Sequence, residues 1–358
     1  MKKSSLKKNS VRLLMLMLVS ILVFVGCGNG GKQTQEQSST TSSADAGHAG
    51  ESKDYVLKIG EEVLSKEVFT FFVTLEAKTT LDSGMVKSLD EEFDGKKVSE
   101  LIKMGVVESF KSPLAIMSHM KKEGFKPDEK SLEERYQKIK ENTAQETLKY
   151  YSDLGFSEEV FFKILKEQLR ATAYEEEFVK RQEIILRGSP QFRDMLANEI
   201  VQVKARHILV DDEETAKKLL ETYKKGEKTF SELATEFSKD SASGANGGDL
   251  GYFGKGLMIP SFEAAAFALE IGAVSEPVQT QHGYHIILSE DKRTIAKMQK
   301  DGVDQMEIDR ETQRLVQSLL GEPVRAEIMK IQKGLVTDIN TEFIESFVIP
   351  LTGPTEPK

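Results

Sequence analysis

The apolar positions of this chain fall into four textures. The first is LLMLMLVSILVFV, from Leu13 to Val25, broken only by Ser20. Thirteen residues are too few to cross a bilayer, which takes about twenty. Because Lys2, Lys3, Lys7, Lys8 and Arg12 precede the run, it predicts a secretory signal over residues 1–26. The second texture is its opposite: from Gly28 to Lys53 there is no Val, Leu, Ile, Met or aromatic residue. With nothing to bury, residues 27–53 are expected to be a disordered tether, reaching about 30 Å r.m.s. as a flexible chain.

The third texture, over 54–200, is helical. A strand-like alternation, YVLKIGEEVL, turns at Gly60-Glu61, and Ser65 can cap a helix carrying Val68, Phe69, Phe72, Val73 and Leu75. Three further segments repeat apolar residues at helical spacing, with Gly124 and Gly155 where C-caps fall and Ser157-Glu158-Glu159 as an N-terminus. Residues 300–348 return to the same texture, helical from Ile308 through Asn340, and are expected to pack with the first helical part.

Between them, over 203–292, the pattern changes. VKARHILV reads as a strand, DEETAKKLLETYKKG and TFSELATEF as two helices, and SKDSASGANGGD as a loop. LGYF reads as a short strand, SFEAAAFAL as a helix, and PVQT with YHIIL as strands around the turn QHG. The fold class is therefore α+β. Within GGDLGYFGKGLMIPSFEAAAFAL, five glycines surround large apolar side chains. Glycine frees the backbone for tight turns and close approach, so the stretch is either the floor of a shallow pocket or a glycine-rich loop beside ordinary core.

Composition narrows the function. The chain has 358 residues, 39% apolar, 30% charged, a formal net charge of −9 and no tryptophan. Residues 1–26 carry five basic residues and no acids, so the remainder stands at −14. That balance gives no electrostatic reason to bind nucleic acid. The single cysteine, Cys27, has no internal disulfide partner, and cleavage after Gly26 would expose it as the new N-terminus.

HILV, GGDLGYFGKGLMIPSFEAAAFAL, PVQT and HGYHIIL, in that order and spacing, resemble the parvulin (rotamase, PpiC-type) peptidyl-prolyl isomerases. The likeness covers residues 203–292, a quarter of the chain. It implies a small four-stranded antiparallel sheet with helices, inserted between the helical segments. It also implies a catalytic set of His207, Asp240 and His285, with Ser241 the alternative to Asp240, and a proline-binding set of Leu250, Met258, Phe262 and Thr280. Met258 and Phe262 are expected to line an open pocket, so that truncating either lowers activity with little loss of stability. The two histidines serve either as a buried hydrogen-bonded pair or in direct proton transfer.

Phe24-Val25-Gly26-Cys27 resembles a bacterial lipobox, with Phe24 where leucine is usual, and implies lipid on Cys27. With the helical flanks, the whole chain is similar to the PrsA-type foldase lipoproteins. An anchored protein on the extracytoplasmic face of the membrane is implied, acting on partly folded exported proteins with X-Pro bonds and compatible with a homodimer. Turning an amide breaks no bond, so no cofactor and no metal are expected. His282 and His285 form an H-x-x-H, but on unlike faces of a β segment, and the DSASGANGGD loop lacks two calcium ligands at Ala242 and Gly244. Asp211 to Glu214 would meet a phosphate with like charge, which favours unphosphorylated clients. A second reading makes the parvulin module a passive peptide binder beside a holdase chaperone.

Overall fold

A computed structural model describes residues 53–351; the expected signal, most of the expected tether and Cys27, the expected lipidation site, lie outside the described residues. Among the described residues no helix is long and apolar enough to cross a membrane. The chain divides into two compact units, one built from residues up to Glu183 together with Leu320 onward, the other from Ile184–Leu319.

The first unit opens with a hairpin, β1 (Tyr55–Ile59) and β2 (Glu62–Ser65), turned at Gly60, whose φ of 60° suits glycine. Ser65 caps α1 (Lys66–Asp82), its Oγ accepting from Val68 N at 3.2 Å. A two-residue pairing of β3 (Glu92–Phe93) and β4 (Lys96–Lys97) leads into α2 (Val98–Lys122). Next come α3 (Glu129–Asn142), α4 (Gln145–Asp153) and the long α5 (Glu158–Gly188). Aromatic rings hold these helices together: Phe71 stacks on Tyr151 at 5.4 Å, and Tyr151 lies 4.5 Å from Phe161.

The second unit begins within α5, followed by α6 (Pro190–Asn198), which restarts the helix at Ser189-Pro190. Its sheet comprises β5 (Gln202–Val210), β6 (Asp249–Gly254), β7 (Val278–Thr280) and β8 (Gly283–Arg293) in the antiparallel order β6-β5-β8-β7. Between β5 and β6 lie α7 (Glu213–Lys224), α8 (Phe230–Phe237) and the single turn α9 (Ser241–Gly244); α10 (Pro260–Ala268) lies between β6 and β7.

Alternation along β5 separates two cores. Ile208 and Val210 face α7 and α8 with Leu220, Leu233 and Ile286, while Val203 and Ala205 face α10 with Phe253, Phe262, Ala266 and Ile287. A third core joins α6 to α11 (Ile295–Lys300) and to the first half of α12 (Gln305–Lys333) through Phe192, Met298, Ile308 and Val316.

The helix expected through Asn340 ends at Lys333. After Gly334, residues Thr337–Ile339 form β9, which pairs with β1 and closes a sheet in the order β2-β1-β9. Gly334 releases the helix, and β-branched Val336, Thr337 and Ile339 suit a strand. The last element, α13 (Thr341–Ser346), lays Phe343 and the following Phe347 on Phe69, at ring distances of 6.0 and 5.3 Å.

Candidate active site

The site is built where β5 and β8 run side by side. His207 pairs with Ile287 and Leu209 with His285, so the two histidines are diagonal neighbours on one face of the sheet. The loop after α8 is fastened to the same strand: Lys239 N donates to Leu209 O at 2.8 Å, and His207 N donates to Gly248 O at 2.9 Å. Gly248 has φ 79°, and a Cβ there would lie 2.3 Å from the His207 carbonyl oxygen, so only glycine lets the loop come this close. Arg206 Nη1 donates to the carbonyls of Asn246 and Gly247 at 3.2 and 3.1 Å, holding the loop from the other side.

These contacts bring five polar side chains into one chain of hydrogen bonds. Thr280 Oγ1 lies 2.9 Å from His285 Nε2, His285 Nδ1 lies 3.0 Å from His207 Nδ1, and His207 Nε2 lies 2.8 Å from Asp240 Oδ2. Ser243 donates to the same Asp240 oxygen at 2.6 Å and sits 3.0 Å from His207 Nε2. Both histidines are buried. The Ser243 hydroxyl, ahead of His207 and the Ala242 N–H, holds the Asp240 carboxyl down to about 2. Burial, reinforced by His207 and His282, holds the His285 imidazole down to about 4.

With His285 neutral and Asp240 ionised, the following arrangement of protons satisfies the chain. Thr280 donates to His285 Nε2, His285 Nδ1–H donates to His207 Nδ1, and His207 Nε2–H donates to the Asp240 carboxylate. In this arrangement every imidazole nitrogen is used.

Phe262 sits under this chain, its ring edge-on to His285 at 5.2 Å and to His207 at 5.7 Å. It is 4% exposed, which corrects the expectation of an open-pocket side chain: Phe262 belongs to the core that supports the histidines. The first turn of α10 faces the sheet, and Phe253 packs beside Phe262 at 6.1 Å. Leu250 and Met258 are half-buried over the same core, and Leu257, exposed at 55%, stands beyond them.

Of the two alternatives, Asp240 makes the bond to His207; Ser241 is exposed at the start of α9. Ser243 was not singled out in the sequence, and its only signal there is the Asp-x-x-Ser spacing of a capped turn. His282 is exposed in the β7–β8 turn. Among the described residues no cluster of three His, Cys, Asp or Glu could hold a metal ion.

The acidic run is also less free than its sequence implies. Asp211 pairs with Lys239, Asp212 caps α7 by accepting from Thr215 N, and Glu213 and Glu214 pair with Lys217 and Lys218. Its repulsion of a phosphate is therefore largely offset.

Residues 204–291 match the PPIC-type PPIASE domain, the rotamase family. Over 234 residues the chain is 33% identical to the foldase protein PrsA of Caldanaerobacter subterraneus subsp. tengcongensis, covering 64% of this chain and 71% of that protein. The chain belongs to the PrsA foldase family. PrsA of Halalkalibacterium halodurans is 41% identical over 161 residues, 44% of each chain. The crystal structure of the peptidylprolyl isomerase PrsA from Bacillus anthracis shares 26% identity, covering 63% of this chain and 96% of that one, with a TM-score of 0.35. The hydrogen-bonded site lies within the matched residues 204–291, and the chain is a peptidyl-prolyl cis-trans isomerase that assists protein folding.

Truncating Met258 and Phe262 should separate their roles. Phe262→Ala removes a buried ring and is expected to cost about 3 to 5 kcal/mol, whereas Met258→Ala, at a half-buried position, is expected to cost about 1 kcal/mol. Denaturant titration of both variants checks this, and equal small losses would return Phe262 to an open pocket.

The depressed His285 value makes stability depend on pH. On acidification the unfolded chain binds this proton near the ordinary 6.5, before the folded chain does near 4. The contribution is therefore complete above pH 6.5 and lost as pH falls toward 4. Unfolding free energies measured at pH 7, 5.5 and 4 should fall for the wild type and fall less for His285→Gln. Parallel slopes would rule out His285 as the source.

Proposed function

We propose that this PrsA-family chain acts on the extracytoplasmic face of the membrane, held there by lipid on Cys27. There it turns X-Pro bonds in partly folded exported proteins while its helical unit holds them. His207, Asp240 and His285, with Ser243 and Thr280, form the catalytic wall; Leu250, Met258 and the buried Phe262 form or support the proline floor. The observation that carries the reading is the unbroken hydrogen-bond chain from Thr280 to Asp240 resting on the Phe262 ring.

The chemistry follows from the amide. Resonance sets a barrier of ~20 kcal/mol, and the enzyme lowers it by binding the twisted amide better than either planar form. A planar amide carries more negative charge on its carbonyl oxygen than a twisted one. An ionised Asp240 beside that oxygen destabilises the planar form more, and an apolar floor that excludes water acts in the same direction. Direct proton transfer is not needed, and no ring nitrogen of His207 or His285 is left free to perform it. The histidines instead fix Asp240 and the wall behind the substrate.

A protease-coupled prolyl assay on the full chain tests this. Asp240→Asn keeps the shape and removes the charge, and kcat/KM is expected to fall about tenfold, the effect of ~1.4 kcal/mol at a partly screened site. Unchanged turnover would remove the electrostatic role, and a wild type without activity that still suppresses aggregation would favour the holdase reading.

The anchor has its own test. Wild type expressed with its signal should fractionate with membranes and Cys27→Ala should not; identical fractionation would remove the lipid.

A further inference from the structure

We propose that a groove in the helical unit takes apolar client segments carrying a lysine or arginine, the cation seating against Glu175. This deepens, and rests on, the reading that the helical unit holds clients. The groove encloses about 1100 Å³ between β2, α1, α2 and α5, room for several side chains. Leu64, Phe72, Ile102, Val106 and Phe110 line it, with Phe72 packed edge-on to Phe110 at 5.2 Å. Val63 and Leu101, 48% and 41% exposed, add apolar surface that the fold itself does not cover.

Charge selects the occupant. Each cation lining the groove is already engaged. Lys121 pairs with Glu62 at 2.7 Å, Lys163 with Glu67 at 2.5 Å and Arg170 with Glu129 at 2.7 Å, while Lys66 lies over the Phe343 ring. On α5, Glu167, Ala171 and Glu175 stand four residues apart and so share one helix face, and all three line the groove. Glu175 is half-buried, and among the described residues no hydrogen bond or ion pair is found for it. An apolar groove with an unmatched carboxylate in its wall complements an apolar segment that brings its own cation, and repels one that brings an acid.

Burial, with Glu176 beside it, pushes the Glu175 carboxyl up to about 7. The charged groups lining the groove around it are Asp54 before β1, Glu61 and Glu62 from the β1–β2 hairpin, Lys66, Glu67 and Glu76 from α1, Lys121 from α2, and Lys163, Glu167 and Arg170 from α5. A docked cation favours the ionised carboxylate, so binding of a cationic segment should tighten from pH 6 to pH 8.

The test uses the full chain and short, fluorescently labelled, proline-free peptides that share one apolar sequence and differ at a single central residue: Lys, Gln or Glu. The Lys peptide is expected to bind about tenfold more tightly than the Gln peptide, and the Glu peptide most weakly. Glu175→Gln should abolish the Lys advantage while leaving the Gln peptide and the turnover of a short prolyl substrate unchanged. Gly105→Phe fills the groove from a position where an added Cβ meets nothing within 4 Å, replaces a mid-helix glycine, and should weaken all three peptides without unfolding the chain. Equal affinities for the three peptides, or a Lys advantage that survives Glu175→Gln, would overturn the charge preference and leave the groove as a client site. Failure of every peptide to bind would overturn the underlying reading as well. If Gly105→Phe abolished self-association and left peptide binding intact, the groove would be an interface between copies and the proposal would be wrong.

Discussion

Two ring nitrogens 3.0 Å apart, His207 Nδ1 and His285 Nδ1, constrain much of the isomerase unit. Only one proton fits between them, so they cannot both donate, and each ring must find its second partner on its outer side. Asp240 and Ser243 supply it for His207, and Thr280 supplies it for His285. The contact also fixes the β5–β8 register, because a shift of one residue would send one imidazole to the α7 and α8 face of the sheet. The close loop approach at Gly248 and the burial of Phe262 both serve this pair. One brings Asp240 within reach, and the other excludes water from under the rings.

The same constraint separates what the sequence revealed from what it did not. VKARHILV alternates over a full strand, and capped helices such as the one at Ser65 carry their start signals locally, so these elements were legible. His207, Asp240, His285 and Thr280 were named through resemblance, and the structure brings them together. Phe262 was misread because a residue in the first turn of a helix can face pocket or core. The rotation of α10 on the sheet decides that, and no local pattern encodes it. Ser243 lay in a loop rich in small polar residues, where nothing distinguishes a cap from a relay. β9 was hidden because three residues after a long helix carry little periodicity, and their partner, β1, is some 280 positions away in sequence.

The helical unit solves a different problem. Its N-terminal hairpin cannot be stable alone. The C-terminal segment completes it by adding a strand to β1 and by laying Phe343 and Phe347 on Phe69. Asn340 sets the junction: its backbone N–H donates to Val56 O at 2.9 Å, and its side chain caps α13 through Phe343 N at 3.1 Å. Lys103, buried in α2, donates to the carbonyls of Ile344 and Phe347 at 2.8 and 3.3 Å. The segments at the two ends of the described residues therefore form one body, and the parvulin module is an insertion within its sequence.

Completing the unit in this way leaves α1, α2 and α5 with apolar surface that no element of the unit covers. A fold selected only for stability would fill such a groove or replace Glu175, since a half-buried carboxylate without a counter-ion is unfavourable. The site in the parvulin module shows the contrasting solution: there, burial is combined with a complete set of hydrogen bonds, and Asp240 is held ionised. The difference is physical. A wall that must keep one shape while an amide rotates needs every polar atom satisfied from within. A surface that, as proposed, accepts and releases many unfolded chains would need some of its partners to arrive with the client.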